Sequence, residues 1–362
     1  MKVAIIVDQP HWTGVGIYAV ELYQLLKPKL PELKLIYVGA VEDDLDIYEK
    51  IDYLCRENRL LLRPITIKKN YKKLINDDRY KDYLFHYAGT DFFALKKRPG
   101  IITIHDLIRD KIFISTNLSI KNLLNAFERF RKYRSTIILS KKAIRIVSMS
   151  QVVKKQIEEK TGLNSILINR WIVSDYFTRR NKSDTRNKLG LKDDYLYFLS
   201  VGNNRQNKRT DLIKIFSDIM PSKCKMIKIG HPINSVNCIN KGKVDDEDYP
   251  LYFNASDAYV HLSDNEGLGL PLLEALGSDL PVICRNLDIN REILGDCAII
   301  IEEKNLREEV IDIVNKLSSR DFVSLIQKEI QIRKELFNPN NSMELYIKLY
   351  EDVLNSGFSH IS

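Results

Sequence analysis

Short apolar runs alternate with helical patterns from one end of the sequence to the other. Runs of this kind, continuous rather than interrupted by polar residues, are typical of strands buried on both faces of a parallel sheet. The predicted strands are residues 2–7, 33–38, 60–67, 83–87, 101–104, 144–148 and 166–168 in a first series, and 195–201, 226–229, 258–262, 281–284 and 298–301 in a second. The pattern predicts the α/β class, with two doubly wound parallel sheets. Ligands of such sheets bind at the carboxyl ends of the strands, so ligand-binding residues are expected in the loops that follow the strands.

The length of 362 residues favours two domains. The polar segment 179–194 separates the two strand series, and its lack of an apolar face predicts a linker. We therefore expect a Rossmann-like N-terminal domain over 1–178 and a Rossmann-like C-terminal domain over 195–341. A last apolar stripe within 342–362, with Ser342 as the expected N-cap, predicts a helix that crosses back to pack on the N-terminal domain.

The charge of the chain is concentrated in one segment. There are 56 Lys and Arg against 48 Asp and Glu, a formal net charge of +8, and residues 109–145 alone account for this excess. Within it, the basic helical segment 121–145 favours either a solvated basic face or binding to an anionic membrane surface or a phosphorylated, lipid-linked acceptor. No recognised nucleic-acid-binding module surrounds it, so nucleic acid is not an expected partner. The bases of this patch are Arg129, Arg131, Lys132, Arg134, Lys141 and Lys142.

The cysteines and the apolar segments indicate a compartment. The five cysteines are widely spaced and form no CxxC pair, so neither a zinc ribbon nor a disulfide framework is expected. The N-terminal apolar run is too short for a signal peptide, and no stretch reaches the length of a membrane-spanning helix. These features predict a cytoplasmic protein, peripheral at the inner face of the membrane if the basic segment binds lipid.

The most informative segment is Ser263–Leu276, which follows a predicted strand. Gly267 and Gly269 permit a tight turn, and the N–H groups at the start of the following helix favour an anion such as a diphosphate. Glu266 precedes the turn and Glu274 lies about one helical turn into the helix, so both carboxylates can face one crevice and accept hydrogen bonds from hydroxyls. A sugar nucleotide offers this combination, an anion between two polyols.

Glu266 and Glu274, set in the pattern SxxEGxGxPxxE, resemble the signature of retaining GT-B glycosyltransferases, family 4 in particular. The similarity is closest over residues 244–304 and can be traced over nearly the whole chain. It implies the GT-B fold, in which two Rossmann-like domains face a cleft. It also implies metal-independent, retaining transfer of a hexose-type sugar from a nucleoside-diphosphate sugar to an acceptor hydroxyl of a glycan, a lipid-linked molecule or a glycolipid, without a cofactor.

The resemblance places the donor site in the second domain. Glu274 would hold the ribose hydroxyls of the donor. Glu266 would hold the donor sugar, together with the backbone of the turn formed by Gly267, Leu268 and Gly269.

The resemblance also assigns the basic turn after the strand 195–201, which begins at Gly202. Lys208 and Arg205 would neutralise the donor diphosphate there and stabilise its charge as it leaves. Asn203 stands where the family most often has its arginine, so Arg205 is offset from that position. The turn lacks a GxxxxGK[ST] pattern, so a P-loop is not supported.

Two residues of the first domain are assigned in the same way. Gly16 belongs to a glycine loop near the diphosphate and the acceptor, and His105, in a segment that resembles the family's "HD" motif, helps to position the transferred sugar. Ala19 occupies the third glycine position of a GxGxxG fingerprint, so a dehydrogenase is not expected. The histidines predicted to be structural are His11, His86, His231 and His261.

No metal site is expected. Asp44 and Asp46 formally make a DxD pair, but they lie in an acidic, helix-like stretch away from any glycine-rich loop, which favours solvated surface. The acidic run 245–248 is interpreted as the start of a helix, where negative charge is favoured.

Two other functions remain open at this point. A sugar-nucleotide epimerase of the same fold would release an isomerised sugar or nucleotide sugar without any acceptor. A non-catalytic GT-B protein would bind a membrane or a partner, and the presence of Glu266, Glu274 and Lys208 argues against it.

Overall fold

The computed structural model describes residues 1–40, 46–48, 63–107, 120–173 and 176–357, with the side chains of 63, 93 and 120–129 outside that description. The chain divides into two compact units. Unit 1 comprises Met1–Asn169 and Asn340–Ser362, and unit 2 comprises Arg170–Pro339. The divisions fall after Asn169 and Pro339, whereas the sequence places them near 178 and 341.

Unit 1 is built on a parallel sheet. Its strands are β1 (Val3–Val7), β2 (Lys34–Tyr37), β3 (Leu84–Tyr87), β4 (Ile101–Ile104), β5 (Arg145–Ser148) and β6 (Ile166–Leu167). Among the described residues they form one six-stranded sheet in the order β2-β1-β3-β4-β5-β6. Every residue of β1 and β4 is buried, which explains their uninterrupted apolar sequences. The helices of this part of the chain are α1 (Gly14–Leu26), α2 (Arg63–Ile75), α3 (Ile120–Ser140) and α4 (Gln151–Thr161).

One predicted strand of unit 1 is wrong in its described part. Residues 63–67, the end of the predicted strand 60–67, belong to helix α2. Ile67, Tyr71 and Leu74 repeat at helical spacing and pack into the core of the unit. A short apolar run does not by itself distinguish a strand from the buried face of a helix, and here the helical spacing decides.

Unit 2 contains the second parallel sheet. Its strands are β7 (Leu196–Gly202), β8 (Cys224–Gly230), β9 (Cys238–Gly242), β10 (Ala258–His261), β11 (Val282–Arg285) and β12 (Ala298–Ile301). In the described part of the unit they form a six-stranded sheet in the order β12-β11-β10-β7-β8-β9. The helices are α5 (Lys182–Lys188), α6 (Thr210–Ile219), α7 (Tyr249–Ala255), α8 (Leu270–Gly277), α9 (Asp288–Leu294), α10 (Leu306–Leu317) and α11 (Arg320–Lys334).

The strand order of unit 2 places a crevice beside β7. This strand pairs with β8 on one side and with β10 on the other, so the direction of winding reverses between β7 and β10. Ligands of open α/β sheets bind at such a reversal, outside the carboxyl ends of the strands. Because β7 ends at Gly202 and β10 ends at His261, the donor-site residues predicted in this unit lie at or after these two strand ends.

The predicted linker, 179–194, contains helix α5 and belongs to unit 2. Asn181 caps this helix, since its side-chain oxygen accepts a hydrogen bond from a backbone N–H of the first turn at 3.0 Å. Arg186 is buried and donates to the carbonyl of Ala255 at 2.9 Å and to the carboxylate of Asp257 at 2.7 Å. A charged side chain, rather than an apolar stripe, anchors the helix, which is why the apolar pattern fails to predict it.

The last helix, α12 (Pro339–Asn355), packs within unit 1, as the sequence predicts. Its Tyr346 hydroxyl lies 2.6 Å from the hydroxyl of Tyr18 in α1. Its Tyr350 hydroxyl lies 2.7 Å from Nδ1 of His86 in β3. Buried polar contacts therefore add to the apolar stripe in holding the end of the chain on the first sheet.

The expected N-cap of α12 is wrong. The helix begins at Pro339, so Ser342 lies inside it. The Ser342 hydroxyl instead donates to the carbonyl of Asn169 at 2.8 Å. Proline is well suited to the first turn, because the N–H that it lacks would have no helical partner there.

Candidate functional site

The turn between β10 and α8 positions the two predicted carboxylates. Gly269 has a φ of 75°, a left-handed conformation that glycine adopts without strain. A side chain at this position would place a Cβ 3.0 Å from Leu272 Cδ1. Pro271 lies in the first turn of α8. The chain therefore turns sharply after β10, with Glu266 before the turn and Glu274 within the helix.

Hydrogen bonds join the turn after β7 to the turn after β10. The Asp264 N–H donates to the carbonyl of Asn207 at 2.8 Å, and the Asn207 side-chain amide donates to the carbonyl of Asn265 at 3.0 Å. These bonds bring the two predicted residues together: Lys208 Nζ lies 2.6 Å from Oε1 of Glu266. Burial acts to raise the pKa of Glu266, but the charge and hydrogen bond of Lys208, together with His261 and Ser263, hold that pKa below its ordinary value.

His261, predicted to be structural, lies against this ion pair. Its Nε2 is 3.7 Å from Oε1 of Glu266, and its ring is buried at the end of β10. Burial lowers the pKa of His261 to about 4, so the imidazole beside the carboxylate is neutral at neutral pH. The signal that singled out His105, a histidine at the carboxyl end of a strand, applies equally to His261.

Glu274 is held by a tyrosine that the sequence did not single out. The Tyr249 hydroxyl, on α7, donates to Oε2 of Glu274 at 2.7 Å. Burial raises the pKa of Glu274 to about 7, while Tyr249, Arg170 and Lys208 act in the opposite direction. Glu274 is therefore a carboxylate whose ionisation changes near neutral pH.

A buried lysine fixes the end of β7. Lys228 Nζ donates to the carbonyls of Gly202 and Ile229, both at 2.8 Å. The Gly202 carbonyl also accepts from His231 N–H at 2.9 Å, and a Cβ on Gly230 would lie 2.4 Å from that oxygen. Burial lowers the pKa of Lys228 to about 8. The sequence did not single out Lys228, because a lysine inside a strand gives no sign of being buried.

Arg205 and Arg209 differ in their surroundings. Arg205 is exposed, and its guanidinium makes no hydrogen bond or ion pair with the described residues. Arg209, directly after Lys208, pairs with Asp264 at 3.0 Å and with Glu303 at 2.9 Å. The sequence does not single out Arg209. Its ion pair with Asp264 joins the same two turns that the Asn207 hydrogen bonds connect.

Gly16, which the sequence assigns to the donor site, is required to be a glycine by the packing within unit 1. A Cβ on Gly16 would lie 1.9 Å from the carbonyl oxygen of Pro10, so no larger residue fits without a shift. The Gly16 N–H donates to the side-chain oxygen of Thr13, the N-cap of α1, at 3.1 Å. This backbone donor is therefore already used inside the helix cap.

His105 follows β4, as the sequence predicts for its segment. Its Nε2 lies 2.8 Å from the carbonyl of Ala88. A carbonyl only accepts, so Nε2 carries the proton and Nδ1 is left with a lone pair. Burial lowers the pKa of His105, which favours this neutral form. Its ring packs edge-on against Tyr18 and lines a pocket of unit 1 beside Thr103 and Lys132.

The basic patch is not uniformly turned to solvent. Arg131 and Lys132 each approach the buried carboxylate of Asp91, at 3.7 Å in both cases. Two of the six predicted members therefore direct their charge at a buried acid, which corrects the idea of one continuous basic face. The Arg129 side chain lies outside the described residues. The exposed members are Arg134, Lys141 and Lys142.

Three further expectations concern membranes and metals. Of the helices that the structure describes, none has the length and apolarity needed to cross a membrane. Within the same described ranges, no three His, Cys, Asp or Glu side chains are grouped so as to hold a metal ion. Asp44 lies outside the described residues, and Asp46 is exposed.

The chain is similar to known proteins over both of its units. The family model described as "Glycosyl transferases group 1" matches residues 181–328. O-antigen chain mannosyltransferase B of Escherichia coli is 37% identical over 333 residues, which cover 81% of this chain and 84% of that protein.

Solved structures share the architecture at low sequence identity. Sucrose-phosphate synthase from Thermosynechococcus elongatus superposes with a TM-score of 0.76 at 16% identity, covering 98% of this chain and 99% of that one. Anabaena HepE, solved in complex with UDP and glucose, gives 0.73 at 15% identity, covering 97% and 100%. The predicted fold class, GT-B with two parallel-sheet α/β domains, is confirmed. With a relative of 37% identity aligned over most of both proteins, the chain belongs to the group 1 family of glycosyltransferases.

Proposed function

We propose that the chain is a retaining, metal-independent glycosyltransferase in which Glu266 and Glu274 are the two carboxylates of an EX7E motif. It moves a hexose-type sugar from a nucleoside-diphosphate sugar to an acceptor hydroxyl of a glycan, a lipid-linked molecule or a glycolipid. The observation that carries this proposal is the Lys208–Glu266 ion pair, which lies where the winding of the second sheet reverses and beside the start of α8. A cation, a carboxylate and a helix N-terminus at one strand edge suit a phosphate joined to a sugar.

In this proposal Lys208 serves the diphosphate and Glu266 serves the sugar. The ammonium has three donors, and the ion pair with Glu266 uses one of them. The remaining donors can bind diphosphate oxygens, so the charge that develops on the leaving group is met by a cation already in place. Glu266 keeps an acceptor oxygen for the hydroxyls of the donor sugar.

The other predicted contacts complete the donor site in this proposal. Glu274 accepts from the ribose hydroxyls, and the backbone of Gly267, Leu268 and Gly269 approaches the sugar. Arg205, whose guanidinium is exposed, is a second cation for the diphosphate. His105 and Gly16 belong to unit 1, and their roles beside the transferred sugar and the diphosphate remain predictions.

The anomeric configuration is retained because the acceptor hydroxyl attacks the anomeric carbon on the same face that the diphosphate leaves. The bond between the anomeric carbon and the phosphate oxygen breaks, and its electron pair leaves with the diphosphate. The acceptor oxygen bonds to the same face of the anomeric carbon, and its proton passes to the departing diphosphate. Lys208 and the N–H groups of α8 stabilise the leaving charge, so the proposal includes no metal ion.

Mannose is the first sugar to test. The relative with 37% identity is named as an O-antigen chain mannosyltransferase, which supports a mannosyl donor and a glycan acceptor. Glucose is the second, because HepE was solved with UDP and glucose. Neither name fixes the nucleotide base, so UDP-, GDP- and ADP-sugars all belong in the experiment.

The exposed bases of the patch support a location at a membrane surface. We propose that Arg134, Lys141 and Lys142 hold the protein at the cytoplasmic face of the membrane, where a lipid-linked acceptor is found. Near an anionic surface each base contributes about 1 kcal/mol. Arg131 and Lys132 contribute less, because Asp91 already neutralises part of their charge.

The proposal is tested by incubating the protein with each donor, with and without a glycolipid extract and with and without a chelator. Labelled sugar should appear on an acceptor, at a rate unaffected by the chelator. Glu274→Ala should bind the donor at least about tenfold more weakly. Release of an isomerised sugar without acceptor would instead support the epimerase, and unchanged donor binding by Glu274→Ala would overturn the site.

A further inference from the structure

Tyr249 is fixed in position by the aromatic side chains around it. It opens helix α7, and its ring meets Phe177 edge-on at 6.0 Å and Phe253 edge-on at 5.4 Å. Edge-to-face contacts of this kind restrict the orientation of a ring. The hydroxyl at the end of the ring is therefore held toward α8, where it donates to Oε2 of Glu274 at 2.7 Å.

The two oxygens of the Glu274 carboxylate differ in their hydrogen bonding. Oε2 accepts from Tyr249, while Oε1 accepts no hydrogen bond from the described residues. Burial and the neighbouring carboxylate raise the pKa of Tyr249 far above its ordinary value, so the phenol stays protonated and remains a donor. A carboxylate fixed through one oxygen presents the other to a ligand in a defined direction.

Several charged or ionisable groups surround Glu274. Tyr249 faces it from α7 and Tyr259 from β10, Tyr176 precedes α5, and Arg170 and Lys208 add positive charge. Among them, Tyr249 donates the hydrogen bond seen in the structure. A hydrogen bond to the charged form of an acid favours ionisation, so Tyr249 opposes the effect of burial on Glu274.

We propose that Tyr249 is a positioning residue for donor binding, an inference that rests on the proposed function. It favours the ionised form of Glu274 and turns the second carboxylate oxygen toward the ribose hydroxyls of the nucleoside-diphosphate sugar. It acts through Glu274 and does not itself contact the donor.

The test compares Tyr249→Phe with Tyr176→Phe, a neighbouring tyrosine without a hydrogen bond to Glu274. Binding of UDP, GDP and ADP is titrated calorimetrically from about pH 5.5 to about pH 9, and the tightest ligand is followed. Tyr249→Phe should weaken binding about tenfold at neutral pH, with recovery toward wild type as the pH rises and Glu274 ionises. Tyr176→Phe should bind as wild type does throughout.

Inorganic diphosphate, which lacks ribose, separates positioning from a general structural effect. Tyr249→Phe should bind it as tightly as wild type. Equal weakening at every pH, or equal weakening toward inorganic diphosphate, would overturn the role of Tyr249. The test can be interpreted even if Tyr249→Phe is less stable than wild type, because binding of nucleoside diphosphate and of inorganic diphosphate is compared on the same protein.

Glu274→Gln distinguishes the failure of this inference from the failure of the proposed function. If Glu274→Gln binds the nucleotide as wild type does, the ribose-binding role of Glu274 fails. If Glu274→Gln weakens binding and Tyr249→Phe leaves the pH profile unchanged, only the role of Tyr249 fails. Weakening by both variants, with the profile of Tyr249→Phe shifted to higher pH, supports both.

Discussion

The ammonium of Lys208 lies 2.6 Å from Oε1 of Glu266, although 58 positions separate the two residues in the sequence. Lys208 follows β7 and Glu266 follows β10, and these paired strands end at the same edge of a parallel sheet. Both side chains are mostly buried, so each charge depends on the other to compensate for lost hydration. The pair joins the proposed diphosphate-binding cation and the proposed sugar-binding carboxylate in one electrostatic unit.

Lys208→Met is expected to leave the Glu266 carboxylate without its counter-ion. The free energy of unfolding should fall by about 1–3 kcal/mol, and sugar transfer should slow about a hundredfold or more. Adding Glu266→Gln should recover part of the stability, because it removes the unpaired charge, without restoring transfer. Denaturant unfolding and initial rates measure both effects. A double variant no more stable than Lys208→Met would contradict the pairing.

Glu274 is expected to make the protein less stable as the pH rises. Its pKa in the folded state, about 7, lies above the ordinary value of 4.5, so the folded state binds its proton more tightly than the unfolded state. The unfavourable contribution is absent at low pH, grows above the unfolded pKa and is complete above the folded pKa. Glu274→Gln should therefore be more stable than wild type by about 1–3 kcal/mol at about pH 8 and equally stable at about pH 4. Unfolding curves with the same pH dependence for both proteins would argue against this.

Lys228→Met tests whether the end of β7 must be anchored. The variant loses the hydrogen bond to Gly202, and nucleoside diphosphate should bind about tenfold more weakly. Its stability near neutral pH should change by less than about 2 kcal/mol, because a buried ammonium with a lowered pKa already carries a hydration cost. Lys225→Met, on the same strand but bonded to Asn237, is the control and should bind normally. Equal binding by both variants would exclude the anchoring role.

Arg209 and Arg205 are expected to respond differently to truncation. Arg209→Ala breaks the pairs with Asp264 and Glu303 and should lower the free energy of unfolding by about 1 kcal/mol, less at high salt. Arg205→Ala should leave stability unchanged and weaken diphosphate binding. The two variants are compared by denaturant unfolding at low and high salt and by calorimetric titration. The reverse assignment of effects would show that Arg209 is the diphosphate-binding residue.

The exposed members of the basic patch should govern binding to anionic vesicles. Replacing Arg134, Lys141 and Lys142 together by Glu should abolish sedimentation with phosphatidylserine vesicles, and wild-type binding should weaken as salt is raised. Replacing the three lysines of α4, Lys154, Lys155 and Lys160, by Glu is the matched control for an equal charge change elsewhere in unit 1. Salt-independent binding, or an equal loss in the control, would rule out this surface.

Much of the architecture can be predicted from the sequence because its strands are continuous apolar runs. Every residue of β1 is buried, and the run that predicts it has no polar interruption. The same logic fails for α2, where Ile67 ends a predicted strand but lies on one buried helical face with Tyr71 and Leu74. It also fails for α5, where the buried contact is made by the charged side chain of Arg186.

The site divides in a similar way. The sequence predicts Glu266 and Glu274 because their motif is local, and it predicts Lys208 because the turn after the strand 195–201 resembles that of the family. Tyr249 and Lys228 could not be found, because their contacts with Glu274 and Gly202 arise from packing between separate elements. From the sequence alone, a tyrosine in a helix suggests a residue of the core, and a lysine in a strand suggests a residue of the surface.

The anomeric configuration of the transferred sugar distinguishes a retaining glycosyltransferase from an inverting one and from an epimerase. The protein is supplied with a nucleoside-diphosphate mannose or glucose and an acceptor, and the anomeric configuration of the first product is read by NMR before any equilibration. Retaining transfer predicts a glycoside with the same anomeric configuration as the donor, formed by wild type and lost in Lys208→Met and Glu274→Ala. A product of inverted configuration, or a free sugar or isomerised donor with no glycoside, would contradict it.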